Sequence, residues 1–109
     1  GVAWVIRNRK EYHRRWKGKA LAAICRATYQ FSCWNPGDPN RSRLHSVSLD
    51  DRSFVVCLQA ADEVMGGLVS SPVGHATHFY ADTLDNPPVW AIGSPVAVIG
   101  HHLFFENIA

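Results

Sequence analysis

No apolar run reaches the roughly 18 residues that a membrane-spanning helix requires, and no lysine or arginine follows Arg52. Cysteine is sparse: Cys25, Cys33 and Cys57 are the only three, and no C-x-x-C occurs. That removes the zinc-ribbon and thioredoxin-like readings. An odd number leaves at least one thiol unpaired, so one disulfide or three buried thiols fit equally. There is no H-E-x-x-H, no G-x-S-x-G elbow, no phosphate-binding glycine loop and no Cys–His nucleophile signature. Metalloprotease, serine-hydrolase, nucleotide-binding and thiol-protease chemistry therefore have no support. No metal and no cofactor are expected.

What is present suits one ordinary folded domain spanning 1–109. An apolar fraction of 47% and a charged fraction of 18% place the chain among globular rather than disordered sequences. The net charge of +2 conceals a gradient. Arg7, Arg9, Lys10, Arg14, Arg15, Lys17, Lys19 and Arg26 face only Glu11 in the first quarter. Everything beyond residue 52 is acidic or neutral. Such a basic front meets an anionic polymer or is simply a solvated helix face.

Residues 2–15 read as an amphipathic helix, with arginines breaking up the apolar start and no small-residue cleavage site after it, so it does not read as a signal peptide. Nothing precedes Gly1 to cap the first turn, and the chain does not begin with Met. The expectation is a domain whose front lies upstream. A second helix is expected over 19–27, with Leu21, Ile24 and Cys25 on one buried face. Asn35-Pro36-Gly37-Asp38-Pro39-Asn40 is a loop. Ser48 is the expected N-cap of a longer helix, with Asp51 at its third position. Phe54, Leu58, Ala61 and Met65 form its apolar stripe, and Gly66-Gly67 ends it. Short β-rich runs follow at 76–80, 96–99 and 103–105, separated by Asp85-Asn86-Pro87-Pro88. Helices followed by a small antiparallel β region give the α+β class.

Three constellations carry chemistry. Tyr29-Gln30-Phe31-Ser32-Cys33-Trp34-Asn35 combines aromatic faces with amide and hydroxyl groups, a combination that binds sugars. Phe31 and Trp34 serve equally well as core anchors. In Gly74-His75-Ala76-Thr77-His78-Phe79-Tyr80, His78 and Tyr80 share one strand face and could orient a substrate or proton donor. A hydrogen-bonded structural histidine is the alternative. In Ile99-Gly100-His101-His102-Leu103-Phe104-Phe105, the adjacent histidines point to opposite faces, so at most one joins any site. His75 and His78 likewise diverge, which speaks against a zinc site.

Together, Gly1-Val2-Ala3-Trp4-Val5-Ile6-Arg7-Asn8-Arg9, Gln30-Phe31-Ser32-Cys33-Trp34-Asn35, Ala76-Thr77-His78-Phe79-Tyr80, Pro87-Pro88-Val89-Trp90 and Ile99-Gly100-His101-His102-Leu103-Phe104-Phe105 resemble the SleB/CwlJ-type cell wall hydrolase family. These are the spore-cortex-lytic enzymes and their bacterial and phage relatives. The resemblance covers nearly the whole chain. It implies a lysozyme-like fold and cleavage of peptidoglycan between N-acetylmuramic acid and N-acetylglucosamine. It further implies a lytic transglycosylase, in which a glutamate protonates the leaving oxygen and the muramyl 6-hydroxyl closes an anhydro ring. The family's glutamate lies in a G-E-A-R-G-E-like segment that has no match here, so no catalytic acid is carried over. Glu63 is the fallback acid. By resemblance Gln30, Ser32, Trp34, Thr77, His78, Tyr80, Trp90 and His102 position the substrate.

The expected partner is the peptidoglycan glycan strand, met in the cell envelope, outside the cell, or on delivery by a phage. Nucleic acid is not expected: the basic front permits it, but the aromatic residues cluster elsewhere in the chain. A non-catalytic wall-binding or phage structural module and an N-acetylmuramoyl-L-alanine amidase are the alternatives.

Overall fold

The computed structural model describes all of residues 1–109. Four helices precede a three-stranded sheet: α1 (Val2–Tyr12), α2 (Leu21–Cys25), α3 (Arg41–Ser46), α4 (Arg52–Met65), then β1 (His78–Ala81), β2 (Ala97–Ile99) and β3 (His102–Phe105). A single 3-10 turn, Ser32–Trp34, lies between α2 and α3. The class is α+β, as the order of the sequence patterns implied. No helix is long and apolar enough to cross a membrane.

The sheet runs β1-β3-β2, with both pairings antiparallel. Because β3 is central, both outer strands have one unpaired edge. The register sets His78 opposite Phe105, Phe79 opposite Phe104 and Tyr80 opposite Leu103. One face therefore carries His78, Tyr80, Leu103 and Phe105, and the other Phe79, Phe104 and His102. The second face packs on α1. Val5, Val73, Ala76 and Phe104 form the core, flanked by Trp4, Phe79 and Ala97. The Phe104 ring lies directly against Gly1, where a Cβ would stand only 2.7 Å from Cζ.

The first helix stops at Tyr12, three residues before the expected end. His13 turns extended (φ −81°, ψ 123°), and its ring is engaged on both sides. Nε2 lies 3.1 Å from the Ile108 carbonyl, and the Arg15 amide reaches Nδ1 at 3.1 Å. A backbone amide can only donate, so Nδ1 is the bare acceptor and Nε2 carries the hydrogen. This ties the end of α1 to the last residues of the chain. The second helix is likewise shorter than the expected 19–27, with Ile24 its buried residue.

The longest helix is capped by Asp51, whose carboxylate accepts from the Phe54 amide at 3.1 Å, rather than by Ser48. Ser48 instead closes the preceding turn: its carbonyl accepts from the Asp51 amide and its Oγ from the Asp50 amide. The far end follows the expected glycine signal. Gly67 takes φ +70°, and bonds from Leu68 N to Glu63 O and from Gly67 N to Val64 O close a Schellman motif. The Arg7 guanidinium caps the same end through the Val64 carbonyl, where a cation is favoured. The stripe of Phe54, Leu58, Ala61 and Met65 is not a buried one. Leu58 and Met65 are exposed, and Val64 is the only fully buried residue of α4. The third helix was unmarked in the sequence, since Arg-Ser-Arg-Leu-His-Ser shows no apolar period.

Candidate functional site

A trough of about 400 Å³ runs along the free edge of β1. One wall is Tyr29–Cys33, and the other is Tyr80 and Trp90, with Arg9 and Phe79 between them at the base. The local chain explains each position. Asp82 N donates to His101 O, so the alternating antiparallel pattern turns the amides of His78 and Tyr80 toward β3 and those of Phe79 and Ala81 toward the trough. The opposite wall leaves α2 through Tyr29, which holds φ at +61°. That conformation is costly for an aromatic residue, and it swings Gln30 and Ser32 to face the strand. Trp90 follows Pro87-Pro88 and stands edge-on to Tyr80 at 5.9 Å and to Phe105 at 5.6 Å.

Four of the residues singled out in the sequence thus line one trough: Gln30, Ser32, Tyr80 and Trp90. His78 stands beside it, 5.0 Å from the Trp90 ring, with Nδ1 3.0 Å from Thr77 Oγ1. Thr77 is buried and faces a separate hollow of about 430 Å³ near the chain end. Trp34 lies elsewhere. It packs edge-on to His45 of α3 and under the Arg26 guanidinium. His102 is on the α1-facing side of the sheet, edge-on to Phe79 at 5.4 Å. Glu63 is exposed on α4 and lines neither the trough nor the hollows near the chain end.

The histidines of the β region are engaged separately. His75 stacks on Tyr12, His78 lies among Trp16, Trp90 and His13, His101 pairs with Asp82, and His102 abuts Phe79. The three cysteines are free thiols, and Cys57 is exposed on α4 rather than buried. Burial pushes the half-buried Cys25 thiol upward.

The electrostatics of the trough's base are one-sided. Arg9 is 4% exposed. Its Nε donates to the Thr77 carbonyl at 2.7 Å, and the guanidinium stacks on Trp16 at 4.4 Å and Phe31 at 5.4 Å. No carboxylate pairs with it. The carboxylates that meet basic side chains do so elsewhere: Glu11 pairs with Arg7, and Asp82 lies 3.1 Å from His101 Nδ1. Burial and the nearby Arg15 lower the Arg9 guanidinium to about 10. Burial, then Arg9, His13 and Arg15, hold His78 down to about 4. His13 is also held below its usual value, first by burial. Both imidazoles are therefore neutral near pH 7, and the trough's base keeps its charge on arginine.

Sequence reasoning did not pick out Arg9 or its neighbour Asn8, whose Nδ2 donates to the Gly74 and Ala76 carbonyls at 3.0 and 2.9 Å. A signal existed. Val5, Asn8 and Arg9 stand at i, i+3 and i+4, the spacing of a buried helix face, and two of the three are polar. Glu106 was also passed over. Its Oε1 accepts from the His75 amide at 2.8 Å, and a Cβ on Gly74 would collide with it. It is the only acidic side chain lining the two hollows near the chain end.

A family model described as Cell Wall Hydrolase matches residues 1–105. No curated protein and no solved structure gives a significant match.

Proposed function

The chain belongs to the cell wall hydrolase family, whose activity is hydrolysis of the peptidoglycan wall, and from that premise we propose that it acts on the glycan backbone. The bond is the one between N-acetylmuramic acid and N-acetylglucosamine, and the reaction is that of a lytic transglycosylase. The observation that carries this reading is the trough along β1. Its aromatic faces at Trp90, Tyr80 and Phe31, with the amide of Gln30 and the hydroxyl of Ser32, suit a strand of N-acetylated sugars. The outward amides of β1 add fixed donors and acceptors for acetamido groups.

A hydrolase that activates water usually flanks the bond with two carboxyl groups. The trough has no acidic side chain in its walls. A transglycosylase suits this better, since one acid suffices when the muramyl 6-hydroxyl is the nucleophile. In this reading the acid is the glutamate that the family pattern sets ahead of α1. Gln30, Ser32, Tyr80, Trp90 and the neutral His78 hold the sugars. Action on the wall places the protein at the envelope or outside the cell.

The test is digestion of purified peptidoglycan, with the products separated by mass. Anhydro-muropeptides are expected. Reducing muramic ends would replace the transglycosylase by a lysozyme-type hydrolase, and freed peptides on intact glycan would replace it by an amidase. The acid-free trough also favours a second reading, a module that binds glycan without cutting it. Retention on insoluble wall with no fall in turbidity would select that one.

A further inference from the structure

We infer that Arg9 forms a carboxylate-recognition site at the base of the trough, and that the carboxylate belongs to the glycan substrate. The inference rests on the reading that the trough binds peptidoglycan. A guanidinium has five N–H donors, and only Nε of Arg9 is used. Nη1 is buried and unpartnered, and nothing accepts from Nη2. The side chain is more than nine-tenths buried yet lines the trough. Trp16 and Phe31 lie over it at 4.4 and 5.4 Å, which restrains its plane and leaves Nη1 and Nη2 without a protein acceptor. Arg15 covers Trp16 at 5.0 Å, so a second cation stands close by.

A buried cation without a counter-charge is costly to keep. Solvent and aromatic contact at the surface would have been the cheaper arrangement for α1. A planar fork with two nitrogens that lack acceptors matches a carboxylate held by two parallel hydrogen bonds. In the glycan only muramic acid can carry one, either as its lactyl group after the peptide is removed or through its stem peptide. Glucosamine units carry none. A clamp on that group would read every second sugar, and so set the register that separates one glycosidic bond from the next.

The experiment measures binding of the full chain to a disaccharide that lacks the bond to be cut. The probes are N-acetylglucosaminyl-N-acetylmuramic acid, its lactyl methyl ester, and N,N′-diacetylchitobiose. The free acid is expected to bind about tenfold or more tightly than either neutral sugar. A pentapeptide-bearing disaccharide, with its peptide carboxyl groups free or amidated, separates the two sources. If it keeps the affinity and amidation removes it, the stem peptide is the ligand; if it binds like the ester, the lactyl group is. Arg9→Lys keeps charge without the fork and is expected to lose most of the preference, and Arg9→Met all of it. Circular dichroism checks that each variant is folded, and the wild-type ligand series stands without them. Equal binding of acid, ester and chitobiose overturns the inference while the glycan reading survives. Inorganic phosphate competing as well as the free acid overturns the carboxylate assignment. Failure of every sugar to bind overturns both.

Discussion

The two walls of the trough belong to regions held in opposite ways. Residues 1–24 and 64–109 contain all twelve buried residues of the chain, and residues 25–63 contain none. The first region joins α1 to the sheet through Val5, Phe104, Val73 and Ala76, and through side chains that reach across to backbone carbonyls. The second comprises the 3-10 turn, α3 and all but the last turn of α4, with Val56, Leu58, Leu49 and Val47 left exposed. Helical propensity and a good cap form α4, but they do not bury it. Burial, not helix length, decides where stability resides.

Paired truncations across this boundary should give the largest contrast. Phe104→Ala is expected to cost about 3 to 5 kcal/mol, measured by urea denaturation, while Leu58→Ala on the exposed side should stay within about 0.5 kcal/mol. Similar losses at both positions would erase the distinction. Asn8→Leu comes next. It strands the Ala76 carbonyl inside the molecule, while the Gly74 carbonyl keeps its bond from Ser71 Oγ, at about 1 to 3 kcal/mol for the buried group left unsatisfied. A neutral result would mean that water reaches the start of β1. Asp51→Ala, which removes the cap of α4, should cost about 1 kcal/mol, visible as reduced helicity in far-ultraviolet dichroism more than as a shift of the main unfolding transition.

A last effect is a pH dependence that arises in the packed region. The folded pKa of His78 is lowered from the ordinary 6.5 to about 4, so the unfolded chain takes up a proton first as pH falls. The stability contributed by neutral His78 is complete above the unfolded value and is lost progressively between about 6.5 and 4. His78→Gln should flatten the slope of unfolding free energy over that window. A slope unchanged by the substitution would mean the ring is solvated.

Much of this plan could be read from residue types. The three strands follow from their β-branched and aromatic runs, the end of α4 from its glycine pair, and the aromatic–amide segment at Gln30–Trp34 from its composition. Other parts could not. Whether α4's stripe is covered depends on the length of the chain's remaining elements, which no local period encodes. Trp34 and Trp90 look alike as isolated aromatics, yet one docks on α3 and the other walls the trough. Arg9 enters the sequence reading only as one cation of a basic front, because charge bookkeeping ignores helical phase. Its position four residues after Val5 holds the information that the tally discarded.

Tyr29, with its left-handed backbone, stands at the foot of the wall that the second region supplies. The Gln30–Ser32 wall hangs on a segment without a single buried anchor, so its amide hydrogens should exchange with solvent through small local openings, while those of β3 wait for global unfolding. A wall that swings away as its own cooperative unit would admit a polymer from the side. No chain end would have to be threaded, and the strand opposite would stay in register throughout.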